Sequence, residues 1–311
     1  MAATLEPWDI GKLQGTPKRR RREARIRRLT FGAALLSVLI SALIIYSLVF
    51  EAVAFMREVD WSKLWGQVGW APRQNVFDLP TIMVATAWVT VIAMAVAGPL
   101  GLAAAVYLSE YANPRVRRYL KPVLEILAGI PSVVLGYFAL RFIAPEVVDR
   151  LFSSAAPANL VAAGIGVGLL TIPLVASVSE DALAAVPGSL REASSGLGAR
   201  RMTTTLRVVL PAAISGLTAA FIVAVSRAVG ETMVVFIAGG AADSAVKSYN
   251  PLDPGMTMTA AMASVASGTD NVAGSGPSFQ SLFFVGLLLF IMTLVLNLIA
   301  DVFVRRFRQE Y

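Results

Sequence analysis

The chain has 311 residues, 56% of them hydrophobic and 15% charged, where a soluble domain carries about 25% charged residues. Its mean hydropathy of +0.68 places it among membrane proteins. It has no cysteine and no histidine, which excludes disulfides, zinc sites built on those ligands, thiol nucleophiles and triads with a histidine base. No G-x-x-x-x-G-K-[ST] run is present, so any ATP energy would have to come from a partner.

Six apolar runs are long enough to cross roughly 30 Å of hydrocarbon: 29–50, 80–108, 122–143, 159–178, 212–238 and 281–304. The net charge of +7 would suit nucleic acid, but its distribution argues for a membrane. The tail to Arg28, the loops 109–121 and 179–211, and the tail after Val304 hold 20 of the 27 Lys and Arg residues. The loops 51–79, 144–158 and 239–280 hold 5, and Arg141 and Arg227 fall within spans. Basic and base-poor connections alternate, so the positive-inside rule puts both termini in the cytoplasm and supports an even number of spans. The expected organisation is a basic tail 1–28, a first span with its outer loop over 29–79, a core of five spans over 80–304 and a tail 305–311.

The basic run Lys18–Arg28 orients the first span and can bind anionic lipid headgroups, which leaves no role for nucleic acid. Ala52-Val53-Ala54 looks like a signal-peptide cleavage site, but the preceding apolar run is longer than the 7–15 residues of an h-region. An uncleaved anchor is expected. In the first outer loop Trp61, Trp65 and Trp70 are of the ring type that sits at headgroups. In the last, the apolar stretch 256–265 is too short to span and reads as an interfacial helix or a re-entrant cap. Thr86 and Thr90 share one face of the second span and could line a path, bond carbonyls one turn back or pack between helices. Gly164 and Gly168 form a small-xxx-small face for close packing. Pro99, Pro131 and Pro173 fall in spans and could kink them.

The loop 179–211 is patterned. Pro187-Gly188 breaks the preceding helix, and Ser189 with Glu192 gives the S-x-x-E of a capping box for a short new helix. Gly198 permits a sharp turn and Pro211 suits the first turn of the next helix. From Glu192 the run resembles the loop of ABC-importer permeases written E-A-A-x-x-x-G, nine residues, I-x-L-P. Glu192, Ala193, Gly198, Leu210 and Pro211 match it, with Ser194 in place of the second Ala and Val208 in place of Ile. The resemblance implies that this loop docks into a cytoplasmic ATPase.

Three further runs are similar to phosphate-importer permeases: Gly98-Pro99-Leu100-Gly101 with Ala105–Tyr111, Gly129-Ile130-Pro131-Ser132-Val133-Val134, and Arg227-Ala228-Val229-Gly230-Glu231-Thr232-Met233, the last of the PstC type rather than the PstA type. The resemblance covers roughly residues 80–304. It implies an all-α integral membrane protein with the six-span architecture of a type I importer permease. It also implies two cytoplasmic ATPase copies, a second permease subunit of PstA type and an extracytoplasmic phosphate-binding protein as partners, in a bacterial cytoplasmic membrane. No cofactor or metal is implied.

Arg227 and Glu231 are four apart in the fifth span, on one helix face. A charge inside a bilayer is costly unless paired or wet and is a functional candidate by default. An Arg fork suits phosphate oxygens and stays charged. The pair could line a translocation path or serve as a structural ion pair. Arg141, near the outer end of the third span, could snorkel to the interface. The expected function is an inorganic phosphate permease working by alternating access. A permease for another oxyanion and a structural or sensory membrane subunit are the alternatives. An intramembrane enzyme is a third and weak reading, since no span carries an Asp dyad, a Ser with a base or a metal set.

Overall fold

The computed structural model describes residues 17–66, 68–240, 244–267 and 276–307. The chain divides into two compact units, Met1–Phe50 and Glu51–Tyr311. Helix α1 runs over Pro17–Glu58, and its stretch Arg21–Glu58 is long and apolar enough to cross a membrane. Leu29, Phe31, Val38 and Ile44 on it are all exposed. Three further helices pass the same test: α2 (Leu79–Tyr111), α5 (Leu160–Ala184) and α11 (Pro277–Phe307) over Pro277–Val302.

Two helix pairs bring the number of spans to six when each pair counts as one. Helix α3 (Pro114–Ala128) meets α4 (Ser132–Leu151) at 86°, and α7 (Arg201–Ala212) meets α8 (Ile214–Val229) at 71°. The apolar run 122–143 is therefore not one straight helix. Pro131 disfavours helical geometry at Ile130 and stands at the N-cap of α4 with ψ 132°, so the chain turns at Gly129–Pro131. The run 212–238 is also interrupted: α8 ends at Val229, and α9 (Met233–Ala238) starts after Gly230, Glu231 and Thr232. Pro211 closes α7 just before its bend into α8, rather than opening a new long helix.

The start of α2 is fixed by Asp78. Its carboxylate accepts from the Thr81 amide at 3.1 Å and hydroxyl at 2.7 Å, and Lys247 Nζ lies 3.5 Å away. Asn159 caps α5 through the Ala162 amide at 2.8 Å. Helices α2 and α5 touch through glycines: a Cβ on Gly101 would lie 2.6 Å from Val175 Cβ, and one on Gly164 2.7 Å from Ile92 Cβ. The Gly164–Gly168 face thus packs as expected, on Ile92 and Val96 of α2. Thr86 and Thr90 bond the carbonyls of Ile82 and Thr86 at 2.7 Å each, the packing role rather than a free polar face.

A two-residue antiparallel pair, β1 (Gly69–Trp70) and β2 (Ala245–Val246), joins two loops. Trp61 and Trp65 are exposed, but Trp70 is 1% exposed and packs edge-on to Phe77 in a core with Phe55 and Phe284. Its ring is therefore not a headgroup anchor. The stretch 256–265 forms helix α10 (Met258–Ala266), with Met256 and Met258 wholly buried. It is a core helix of the protein, which excludes the interfacial reading.

Candidate functional site

The patterned loop becomes helix α6, Gly188–Gly196. Its N-cap is Pro187, which has no side-chain oxygen to offer, and the helix restarts at Gly188. Ser189 therefore lies inside the first turn, so the expected Ser189–Glu192 capping box does not form. Glu192 and Ala193 face outward and are exposed. The helix ends in a Schellman turn. Gly198 sits at φ 78°, its amide donates to Ser195 O at 2.9 Å, and the Ala199 amide donates to Ser194 O at 3.2 Å. Ser194, the departure from the family pattern, shares a hydrogen bond of 2.8 Å with Thr204 and ties α6 to α7. Leu210 packs on the cluster of Leu183, Val186, Val209 and Leu217, while Pro211 is exposed at the bend. Of the five motif residues, Glu192, Ala193 and Gly198 present a surface, and Leu210 points inward.

Arg191 fastens α6 to the spans. Its Nη2 donates to Glu110 Oε1 at 2.8 Å and to Leu183 O at 2.8 Å, Nη1 donates to Val186 O at 2.7 Å, and Nε lies 3.4 Å from Glu110 Oε2. Glu110 belongs to a widened π-type turn, Tyr107–Tyr111, that ends α2. One guanidinium thus joins the end of α2 to the Leu183 carbonyl at the end of α5 and the Val186 carbonyl just beyond it. Glu180, buried near the same end of α5, pairs with Arg117 and with Lys121 (3.1 Å), both on α3.

The second locus is the break after α8. Arg227 Nη1 donates to Glu231 Oε2 at 2.5 Å. The two residues do not share a continuous helix face, because the break falls between them, yet they still meet. Gly230 is a poor helix former, and the Glu231 carbonyl accepts from the Thr259 hydroxyl of α10 at 2.7 Å. The carboxylate is 3% exposed and its Oε1 lies 3.4 Å from the Val234 amide, whereas the Arg227 side chain is 46% exposed. A buried acceptor therefore holds a cation whose remaining N–H groups stay accessible. A hollow of about 290 Å³ opens beside the break, with Thr232, Thr259 and Met262 in its wall. Ser226 adds a hydrogen bond of 3.1 Å to Asn297 of α11. Arg141 stands apart from this locus: its Nε donates to the Tyr137 hydroxyl at 3.2 Å and its guanidinium lies over that ring, on an exposed face of α4.

Sequence reasoning missed Arg191, Glu110, Glu180 and Thr259. Glu110 and Glu180 each end an apolar run, and a carboxylate at that depth is a signal. Thr259 carried none. Among the described residues no group of His, Cys, Asp and Glu could hold a metal ion.

Residues 97–310 match the family model described as binding-protein-dependent transport system inner membrane component. A probable ABC transporter permease protein, YqgH, of Bacillus subtilis is 34% identical over 67% of this chain and 64% of its own length. The phosphate transport system permease protein PstC of Pasteurella multocida is 28% identical over 93% of each chain. Among solved structures, a bacterial ABC transporter involved in alginate import gives a TM-score of 0.63 at 13% identity, covering 93% of this chain and all of that one. The MetNI methionine ABC transporter, inward facing, gives 0.52 at 20% identity, covering 72% and 92%. These two likenesses concern the fold, that of an ABC-importer permease. With the family model matching more than half of its length, the chain belongs to the binding-protein-dependent transport system inner membrane components.

Proposed function

We propose that this chain is a PstC-type permease subunit that moves inorganic phosphate across the cytoplasmic membrane by alternating access. Its partners would be two cytoplasmic ATPase copies, a PstA-type sister subunit and an extracytoplasmic phosphate-binding protein, with both of its termini in the cytoplasm. The observation that carries this reading is Arg227: an accessible guanidinium at a helix break, held by the buried Glu231 carboxylate. A divalent or monovalent oxyanion can dock on the free edge of that fork. Glu231 keeps the cation neutralised when the path is empty, and competition from it keeps anion binding weak enough for release. Glu192 and Ala193 on α6 form the surface offered to the ATPase, with the Gly198 turn, Leu210 and Pro211 setting its angle.

The test is uptake of radiolabelled phosphate, with ATPase rate, by the reconstituted complex carrying Arg227→Gln. Assembly and binding-protein docking are expected to persist while uptake falls at least tenfold. Wild-type uptake refutes the role, and a complex that no longer assembles assigns the pair to structure instead. Competition by arsenate but not sulfate identifies the cargo as phosphate. Equal competition by sulfate would place the chain among permeases for other oxyanions.

A further inference from the structure

Helix α3 is built differently from the spans. On its wheel Arg117, Arg118, Lys121 and Glu125 gather on one side, and Tyr119, Leu120, Val123, Ile126 and Leu127 on the other. Arg115 stands at the seam, next to Ile126 and Tyr119. No residue of α3 is buried, and Tyr119 and Ile126 are exposed by 74% and 71%. The helix turns through 86° into α4, so the two do not run as one straight span. An apolar side opposite a charged one is the pattern of a helix lying at a membrane–water boundary.

The charge on that boundary is one-sided: four cations against the single carboxylate of Glu125. A shallow hollow of about 380 Å³ on the charged side is walled by Arg117, Arg118, Lys121 and Glu125 between Pro114 and Pro122. Arg117 and Lys121 are committed to Glu180 of α5. Arg115 and Arg118 have no carboxylate partner among the described ion pairs.

We infer that α3 is an in-plane anchor for anionic phospholipid, with Tyr119, Val123 and Ile126 among the acyl chains and Arg115 and Arg118 on headgroup phosphates. Charge complementarity selects the lipid: a guanidinium pair meets a phosphodiester by parallel N–H···O bonds, and net-neutral headgroups offer it less. Through Arg117 and Lys121 the anchored helix steadies Glu180 at the foot of α5, one turn before the chain leaves for α6. The inference does not depend on which substrate crosses.

The chain has no cysteine, so Tyr119→Cys provides one labelling position in this subunit. The assembled complex, with cysteine-free partners and a bimane label there, is placed in bilayers containing brominated phosphatidylcholine or brominated phosphatidylglycerol. Both lipids are expected to quench the label, and phosphatidylglycerol more strongly at equal mole fraction. Arg115→Gln and Arg118→Gln should each cut that preference about fivefold while leaving quenching by phosphatidylcholine intact. Quenching by neither lipid would show that protein or water covers this side of α3, and equal quenching by both would remove the headgroup selection. Either result overturns the inference, and neither depends on the arginine variants assembling.

Discussion

Replacing Arg191 by Met keeps the aliphatic stem and removes the guanidinium that joins α6 to α2 and α5. Glu110, 7% exposed, would lose its cation, the Val186 carbonyl would lose its Arg191 donor, and the Leu183 carbonyl would keep only backbone amides. Breaking a buried pair costs about 3–5 kcal/mol, and the 28% exposure of Arg191 brings the expected loss to roughly 2 kcal/mol. If α6 opens locally from this joint, amides in the helix and its Schellman turn should exchange with solvent roughly 30-fold faster. Hydrogen exchange read by mass spectrometry on the assembled complex measures it. Glu110→Gln and the double variant complete a cycle, for which a coupling of about 1–2 kcal/mol is expected. Unchanged exchange at α6, or effects that add to within about 0.5 kcal/mol, would refute the joint.

Two further substitutions probe the frame and the break. Gly101→Ala places a Cβ 2.6 Å from Val175 Cβ and 3.1 Å from Ile172 O, so it should cost about 1–3 kcal/mol and lower the melting temperature of the complex; an unchanged transition would mean the contact is looser than described. Thr259→Val leaves the Glu231 carbonyl without its buried donor, a loss of about 1–3 kcal/mol that should reduce uptake several-fold, whereas Thr259→Ser should restore it. Equal uptake by the Val and Ser variants would detach Thr259 from the break.

The spans were legible because hydropathy integrates over some twenty residues, and the glycine face of α5 was legible because its spacing repeats on one side. The interruptions were not, since each depends on a few residues and their partners elsewhere. Gly129-Ile130-Pro131 looks like a kink inside a span, and only the 86° turn shows that α3 leaves the direction of α4. The stretch 256–265 is too short to cross, but length alone cannot tell a surface helix from one enclosed by α2, α9 and α11. Ser189–Glu192 has the spacing of a capping box, yet the cap is decided by where Pro187 lets the helix restart. The joint of Arg191 to Glu110 links residues 81 apart, and no local pattern reports it.

The positions of rigidity and interruption carry a mechanical consequence for the proposed transport. On one side α6 is bound through Arg191 to the ends of α2 and α5, which are themselves locked by Gly101, Gly164 and Gly168 and held to α3 by Glu180. On the other side α6 leads through the Gly198 turn into α7, and from there the chain bends by 71° at Ala213 and breaks again at Gly230–Thr232. A packed interface responds to force as a body, while the angle at a helix break can change without breaking a ladder of hydrogen bonds. A push on α6 would therefore move α2 and α5 together and take up the difference in angle along α7, α8 and α9. Arg227 and Glu231 sit at the second of those breaks, so in the proposed transport the guanidinium would lie where displacement of α6 changes the local backbone angle. Glu231 is held at its backbone carbonyl by Thr259 of α10, and its carboxylate is 3% exposed. An Arg227 that turned fully away would leave that charge unpaired in the core, whereas an anion on the exposed edge of the fork, with Glu231 still in contact, avoids that cost.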